Sequence, residues 1–451
     1  MSFHLAARLG TIGVLILLLL IPVAMIDGLI SERQALRDQV LADIARSSSS
    51  AQRLSGPILV APYRKTVREW VMRPDTREHV QEEREVSGRL YFLPDRFALD
   101  GSLQTEERAR GIHQARLFHL DGRISGHFQV PAKWGVAEEW QDYQFDTPFL
   151  ALGISDVRGI GNGLSLTMND QEIAFQPGSQ IREIGDGVHA TLDDFIADAG
   201  SRLEFDFTLA LLGTGRLDFT PVGRETRIDI SADWPHPSFV GNYLPIEREV
   251  SEDGFRARWQ TSFFSTNMQE AALDCLSQSR CEAFNQRQFG VSLIDPVDHY
   301  RQSERTIKYA MLFIGLTFAA FFVFGILRDI EIHPMEYGLV GLALAIFYLL
   351  LLSLSEHLGF GPAYAIAAAA CVALTGFYLC YVLNGLLRGL GFTAALALLY
   401  NVLFVIVSAE DVALLMGSVL LFALLAAVMV LTRNLDWQNV GGQRGRQQTT
   451  G

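Results

Sequence analysis

The chain has 451 residues, a formal net charge of −13, 49% hydrophobic residues and four cysteines. This length is sufficient for a membrane bundle with one or two soluble domains. The acidic balance argues against a nucleic-acid partner, which requires a basic surface, and against broad adhesion to anionic lipid. Four cysteines are too few for a disulfide scaffold.

The first apolar segment follows Arg8 and ends before Asp27. A basic start and an apolar middle are also typical of a signal peptide, but Val23-Ala24-Met25 is a weak cleavage site. We therefore expect an uncleaved transmembrane helix over residues 9–30, after a cytoplasmic N-terminus of residues 1–8. In either case the segment that follows is translocated.

A helical stretch opens the external segment. Ile30, Leu36, Val40, Leu41 and Ile44 fall on one helical stripe, so the first helix is expected to continue outward. The four serines at 47–50 are typical of a linker and are expected to end it.

Further along, the hydrophobic period changes to two, which is typical of β-strands. Asp121-Gly122 lies between two such runs and predicts a tight hairpin turn, as does Asn169-Asp170. The strands predicted on this pattern cover residues 57–62, 112–120, 123–130, 164–168, 172–175, 202–212, 216–220, 227–231 and 255–264. One short helix is predicted over residues 191–199.

These strands predict a β-rich external domain, sandwich-like and antiparallel, over residues 31–306. It would be inserted between the first and second transmembrane helices. The sequence contains no Pro/Gly/Ser linker that decides between one lobe and two. Within this domain, Cys275 and Cys281 lie on the translocated side and are expected to form a disulfide. A redox or metal pair is the alternative, but the Cys-x-x-Cys spacing and a nearby histidine are missing.

Five more apolar runs follow, separated by short polar breaks. A spanning helix needs about 20 mostly apolar residues, and five such runs in a soluble protein would leave no polar outer face. The predicted spans are residues 307–327, 335–355, 362–384, 389–409 and 412–432. Residues 433–451 are predicted to form a disordered cytoplasmic tail.

The distribution of basic residues predicts the orientation. If the N-terminus is cytoplasmic, six arginines lie on the cytoplasmic side of the membrane. The short loops on the opposite side then carry acids and no Lys or Arg. The arginines are Arg8, Arg328, Arg388, Arg433, Arg444 and Arg446. This predicts a six-span bundle in the inner membrane, with both termini cytoplasmic and the β-rich domain periplasmic.

No metal, cofactor or catalytic site is predicted. In the expected hairpin His113 and His119 share a face about 20 Å apart, and His127 lies on the other face. Asp233, His236 and Ser238 lie close together in sequence, but the prolines between them hold the chain extended, which favours a structural loop over a catalytic triad. Common nucleotide, metalloprotease and hydrolase motifs are missing from the sequence.

The charged residues of the bundle lie at the ends of its spans. One interpretation is simply solvated charge. The other is a docking rim, in which acids of two short outer loops accept hydrogen bonds from bases entering the second span, with His357 adding pH sensitivity. The rim comprises Glu356, His357, Glu410, Asp411, Arg301, Arg305 and Lys308.

Several segments together resemble a known family. They are residues 56–63 (GPILVAPY), 233–239 (DWPHPSF), 296–300 (PVDHY), 308–314 (KYAMLFI), 332–335 (IHPM), 353–360 (SLSEHLGF), 410–418 (EDVALLMGS), 432–433 (TR) and 436–437 (DW). In order and spacing the chain resembles the CreD (Cet) family, named for colicin tolerance and often called cell envelope integrity proteins. The resemblance covers essentially the whole chain and is most specific over residues 296–437.

The resemblance implies an inner-membrane protein with a large periplasmic domain, induced through a two-component system and linked to envelope stress. It implies no catalytic residues. In one departure, this chain has Phe324-Gly325 where the family often has a glutamate. We expect a non-enzymatic protein whose β-rich domain binds an unknown envelope lipid or protein. The alternatives are a transporter or flippase-like bundle with an accessory domain and, less favoured, an envelope hydrolase.

Overall fold

The computed structural model describes residues 3–72, 79–161, 163–193, 195, 200–293, 299–328, 332–382, 385–409 and 413–433. The chain divides into two compact units. A helical unit combines Met1–Asp38 with Val297–Gly451, and a β-rich unit comprises Gln39–Pro296.

Seventeen strands form in the described residues of the β-rich unit. In chain order they are β1 (Gln52–Met72), β2 (His79–Phe92), β3 (Arg96–Arg110), β4 (His113–Val130), β5 (Tyr143–Phe145), β6 (Phe149–Ile154), β7 (Ser165–Met168), β8 (Gln171–Ala174), β9 (Gln176–Pro177), β10 (Gly187–Thr191), β11 (Ser201–Thr214), β12 (Arg216–Thr220), β13 (Glu225–Ala232), β14 (Pro237–Gly241), β15 (Glu247–Ser251), β16 (Gly254–Ser262) and β17 (Phe289–Leu293).

These strands form two sheets. One has nine strands in the order β14-β17-β12-β1-β6-β10-β9, with β2 and β5 also paired to β1, and the other has eight in the order β15-β16-β13-β3-β4-β11-β7-β8. Both sheets contribute to one hydrophobic cluster, for example Leu59 and Phe219 from the first and Phe97, Phe205 and Trp259 from the second. The unit therefore has the two-layer organisation that the alternating pattern predicted.

The prediction of purely antiparallel sheets is wrong. Strand β1 pairs in parallel with β12, and β13 pairs in parallel with β3, so both sheets are mixed. The paired strands are far apart in the chain, and alternation along a strand shows which face is buried without identifying the neighbouring strand.

One hairpin prediction is confirmed and the other is wrong. Asn169 and Asp170 join β7 to β8 with φ angles of 46° and 68°, as a type I′ turn requires. Asp121 and Gly122 instead lie inside β4, which continues unbroken because β3 and β11 pair with it along both edges. Gly111, with φ +66°, lies at the actual turn between β3 and β4.

The helix predicted over residues 191–199 does not begin at Thr191, which is the last residue of β10. Most of the remaining segment lies outside the described residues. The α-helices of the described residues are α1 (Phe3–Ser47), α2 (Phe263–Thr266), α3 (Met268–Gln278), α4 (Glu282–Gln286), α5 (His299–Lys308), α6 (Ala310–Arg328), α7 (Pro334–Leu358), α8 (Phe360–Val382), α9 (Leu386–Ser408) and α10 (Ala413–Thr432).

The membrane-spanning capacity lies in α1 and in the helices after residue 299. Among the described residues, four helices are long and apolar enough to cross a membrane, or five if α5 and α6 count as one span bent by 43°. The second span was predicted over residues 307–327, and within that range the structure has the end of α5 at Lys308 and the start of α6 at Ala310. Helix α1 ends at Ser47, within the serine run that was predicted to end it.

Candidate functional sites

A groove of about 300 Å³ lies between α3 and strand ends of both sheets. Its apolar lining includes Phe92, Leu93, Ala272, Leu273 and Leu276. Ligand pockets commonly begin near this volume and are mostly apolar with a few polar groups.

The sequence of α3 explains why this wall of the groove is apolar. Met268, Ala271, Ala272, Cys275 and Leu276 recur with helical periodicity, and all are buried in one cluster of the β-rich unit. Leu273 lies outside that buried stripe and remains 44% exposed at the groove. The helix therefore packs on the core with one face and presents apolar surface to the groove with another.

The polar groups at the groove are held in place by one another. Arg224 Nη1 lies 3.8 Å from Asp95 Oδ1, and the backbone N–H of Gln129 donates to Asp95 Oδ2 at 2.9 Å. The Arg224 guanidinium also lies 5.4 Å from the ring centroid of Phe263, within reach of a cation–π interaction. Burial raises the pKa of Tyr91, which also lines the groove.

A second groove has a volume of about 370 Å³. Asp100, Asp121, Arg123 and Thr208 line it. Arg123 Nε donates to Asp206 Oδ2 at 2.8 Å. Ile160, Leu164, Leu209 and Ala210 also line it, so this lining is mixed. The first groove is the better candidate for an apolar ligand because α3 supplies one of its walls with an exposed leucine, Leu273.

In the helical unit, Glu356 is the centre of a small polar cluster. Its side chain is 11% exposed, the Tyr300 hydroxyl donates to Glu356 Oε1 at 3.0 Å, and Arg33 Nε lies 3.8 Å from the same oxygen. The Arg37 guanidinium lies 6.0 Å from the Tyr300 ring centroid. A buried carboxylate is stabilised by such partners.

The other members of the predicted docking rim are placed as follows. Arg301, Arg305 and Lys308 lie on α5, the helix that also carries Tyr300, and Lys308 Nζ lies 2.8 Å from Glu304 Oε1. His357 is exposed near the end of α7. Glu410 and Asp411 lie outside the described residues. The contact between Tyr300 and Glu356 was not predicted, because an aromatic residue near a span has no charge that identifies it as a partner.

Comparison with known proteins decides the family. The family model described as "Inner membrane protein CreD" matches residues 4–438. A protein of Escherichia coli (strain K12) named "Inner membrane protein CreD" is 38% identical over 425 residues, which cover 94% of this chain and 91% of the relative. The chain belongs to the CreD family. It is therefore an inner-membrane protein with several membrane-spanning helices.

The histidines that were weighed as metal ligands in this CreD-family chain lie along one strand. His113, His119 and His127 all belong to β4, whose pairing with β3 is regular throughout, so all three lie on one face rather than on two. No group of three or more possible metal ligands occurs in the described residues.

The segment from Asp233 to Ser238 makes structural contacts. Asp233 Oδ1 accepts a hydrogen bond from the Thr105 backbone N–H at 2.9 Å, and Trp234 Nε1 donates to the backbone oxygen of His236 at 3.1 Å. The Arg116 guanidinium lies 3.8 Å from the Trp234 ring centroid. These contacts hold the segment against β3 and β4. Elsewhere in the unit, Cys275 and Cys281 are joined as a disulfide.

A buried polar junction of the CreD-family chain was missed by the sequence analysis. Gln52 is 1% exposed, and its amide donates to Ser49 Oγ at 2.8 Å and to the backbone oxygens of Asp156 and Leu212 at 2.9 and 2.8 Å. Ser49 was expected to be part of a linker, but it is fully buried. Asp156 and Leu212 lie 104 and 160 residues from Gln52 in the sequence, and no local pattern indicates these two contacts.

The charged half of this junction closes the end of α1. Arg158 donates to the backbone oxygen of Arg46, and Arg158 Nη2 lies 2.6 Å from Asp156 Oδ2. Hydrogen bonds from Arg158 hold the pKa of the Asp156 carboxyl well below its usual range, against the opposing effect of burial. A cation placed at the last carbonyls of a helix satisfies them and complements the helix dipole.

Proposed function

We propose that this CreD-family protein supports the integrity of the cell envelope under stress by binding an envelope component, lipid or protein, through a periplasmic β-rich unit. The groove beside α3 is the observation that carries the proposal. It combines about 300 Å³ of mostly apolar space with Leu273 at 44% exposure and a fixed arginine at Arg224. Such a combination suits an apolar group with a polar end.

The proposed topology has six spans, with both termini in the cytoplasm. Helix α10 would supply the sixth span, since its 20 residues, Ala413–Thr432, carry no charge. In this arrangement the β-rich unit is periplasmic, and its disulfide would lie in an oxidising compartment.

Photo-crosslinking in living cells tests the proposal. A photoreactive amino acid placed at Gln269, which lines the groove, should capture a discrete envelope component. Leu273→Trp should abolish the capture, because the indole at this exposed position of α3 occupies the groove. The matched control is the same photoreactive residue at Thr208 in the second groove, which should not capture that component. Capture that is unchanged by Leu273→Trp would refute the assignment of the groove.

A transporter or flippase-like bundle is the second candidate. Interrupted helices with polar groups are common at transport sites, and two observations in the helical unit fit that pattern. Helices α5 and α6 meet at a bend of 43°, and the buried side-chain oxygens of Gln302 and Ser303 have no hydrogen-bond partner among the described residues. Lipid scrambling or ion flux in vesicles containing the purified protein would support this candidate, provided that Ser303→Ala changes the rate.

A further inference from the structure

Strand β2 offers an unpaired edge for most of its length. Among the described residues it pairs with β1 alone, and its residues 81–87 are all exposed. A long exposed strand edge presents a row of free N–H and C=O groups that can pair with another strand.

The sequence of this edge is self-complementary when two copies run antiparallel about Glu83. Glu82 of each copy then lies opposite Arg84 of the other. Opposite charges placed directly across two strands stabilise a sheet. Because the arrangement is two-fold, each favourable pair occurs twice.

We propose that this protein forms a two-fold dimer in which the β2 edges of two copies pair antiparallel, with the axis at Glu83. The nearest alternative registers are worse. A shift of one residue in one direction places Glu82 opposite Glu83 twice. A shift in the other direction places Glu83 opposite Arg84 twice, but it also places Glu82 opposite Glu85 twice. Like charges directly opposite each other destabilise a sheet.

Contacts within each copy support this register. At the axis the two Glu83 side chains meet, but each already accepts a hydrogen bond from Arg68 of its own β1 at 2.9 Å. On the neighbouring rung, Glu69 of β1 lies directly opposite Glu82 of β2, which is an unfavourable pair of like charges. Arg84 of the second copy would approach Glu82 from its open side and compensate for that repulsion.

Cysteine crosslinking tests the register in the intact protein in its own membrane. Directly opposed residues of antiparallel strands have Cα atoms about 4.5–5.5 Å apart, a spacing that a disulfide accepts. Glu83→Cys should therefore yield a reducible species of twice the mass on non-reducing gels. Ser87→Cys is the matched control. Its two copies would lie about 26 Å apart in this register, so it should not crosslink.

Charge exchange tests the complementarity. In the Glu83→Cys background, either Glu82→Arg or Arg84→Glu places like charges opposite each other twice, and crosslinking should fall on the order of tenfold. The double variant Glu82→Arg/Arg84→Glu restores opposite charges and should recover crosslinking. Glu249→Arg on the exposed strand β15 is the control charge reversal and should have no effect.

Three results would overturn the dimer. The first is equal crosslinking at positions 83 and 87, which would indicate random collision. The second is a double variant as impaired as the single ones. The third is a crosslinked species containing a different protein, which would assign the β2 edge to another partner.

Discussion

The junction between α1 and β1 gives the sharpest stability prediction. Asp156 is 9% exposed and accepts hydrogen bonds from the Ser50 backbone N–H at 2.9 Å and from Arg158 Nε at 2.8 Å. Asp156→Ala leaves the partly buried Ser50 N–H without its acceptor and removes the carboxylate that positions Arg158 against the Arg46 carbonyl.

The magnitude follows from the lost acceptor. A buried donor that loses its partner costs about 1–3 kcal/mol, so the free energy of unfolding of the β-rich unit should fall by about 2 kcal/mol. For a unit of this size, that change lowers the midpoint of thermal unfolding by about 4–8 °C.

The effect should hardly depend on pH near neutrality. The pKa of Asp156 is lowered in the folded protein, so its contribution is complete above the unfolded pKa of about 3.9 and is lost only as the pH falls through the still lower folded value. The difference between wild type and Asp156→Ala should therefore be constant from pH 5 to 8.

Tryptophan fluorescence of the purified full-length protein provides the assay, because five of its six tryptophans lie in the β-rich unit. These are Trp70, Trp134, Trp140, Trp234 and Trp259. Asp206→Ala removes an exposed carboxylate that pairs with Arg123 in the same unit and serves as the control. Equal midpoints for Asp156→Ala and wild type, or equal losses for both variants, would refute the reasoning.

Three further predictions concern the disulfide, the topology and Glu356. Cys275 and Cys281 should resist thiol labelling in spheroplasts until reduced, and their replacement by serine should cost about 2–3 kcal/mol; labelling without reduction contradicts the bond. A periplasmic reporter fused after Arg388 should be inactive, and activity there would exclude the six-span arrangement. Tyr300→Phe and Glu356→Gln should each weaken envelope-stress protection at equal protein levels. The double variant should be no worse than the worse single one, because both remove the same 3.0 Å hydrogen bond between Tyr300 and Glu356. Additive defects would show that this hydrogen bond is not the shared cause.

Local signals in the sequence predicted local structure well. The run from Arg216 to Thr220 was predicted as a strand and is β12 with the same bounds, and the Asn169-Asp170 turn was also predicted correctly. Asp121-Gly122 carries an equally strong turn signal, yet it lies in the middle of β4. Strands β3 and β11 pair with β4 on both edges, and this tertiary pairing outweighs the local preference.

The candidate sites were harder to predict because they combine distant segments. The groove joins residues near Phe92, Gln129, Arg224 and Leu273, none of which carries a motif. Glu356 was identified in the sequence as a charge near the end of a span. Its observed partner Tyr300 was not, because a hydroxyl-to-carboxylate contact between helices leaves no periodic signal.

The end of α1 determines where the β-rich unit can be cut from the chain. Ile44 is 3% exposed and packs with Ala115 and Leu117, so the last helical turns belong to the core of that unit. A secreted fragment that begins at Ala51 would uncover this apolar surface and remove the carbonyl that Arg158 binds. A fragment that begins at Gln39 keeps both, because it retains the helical turns that carry Ile44 and the Arg46 carbonyl.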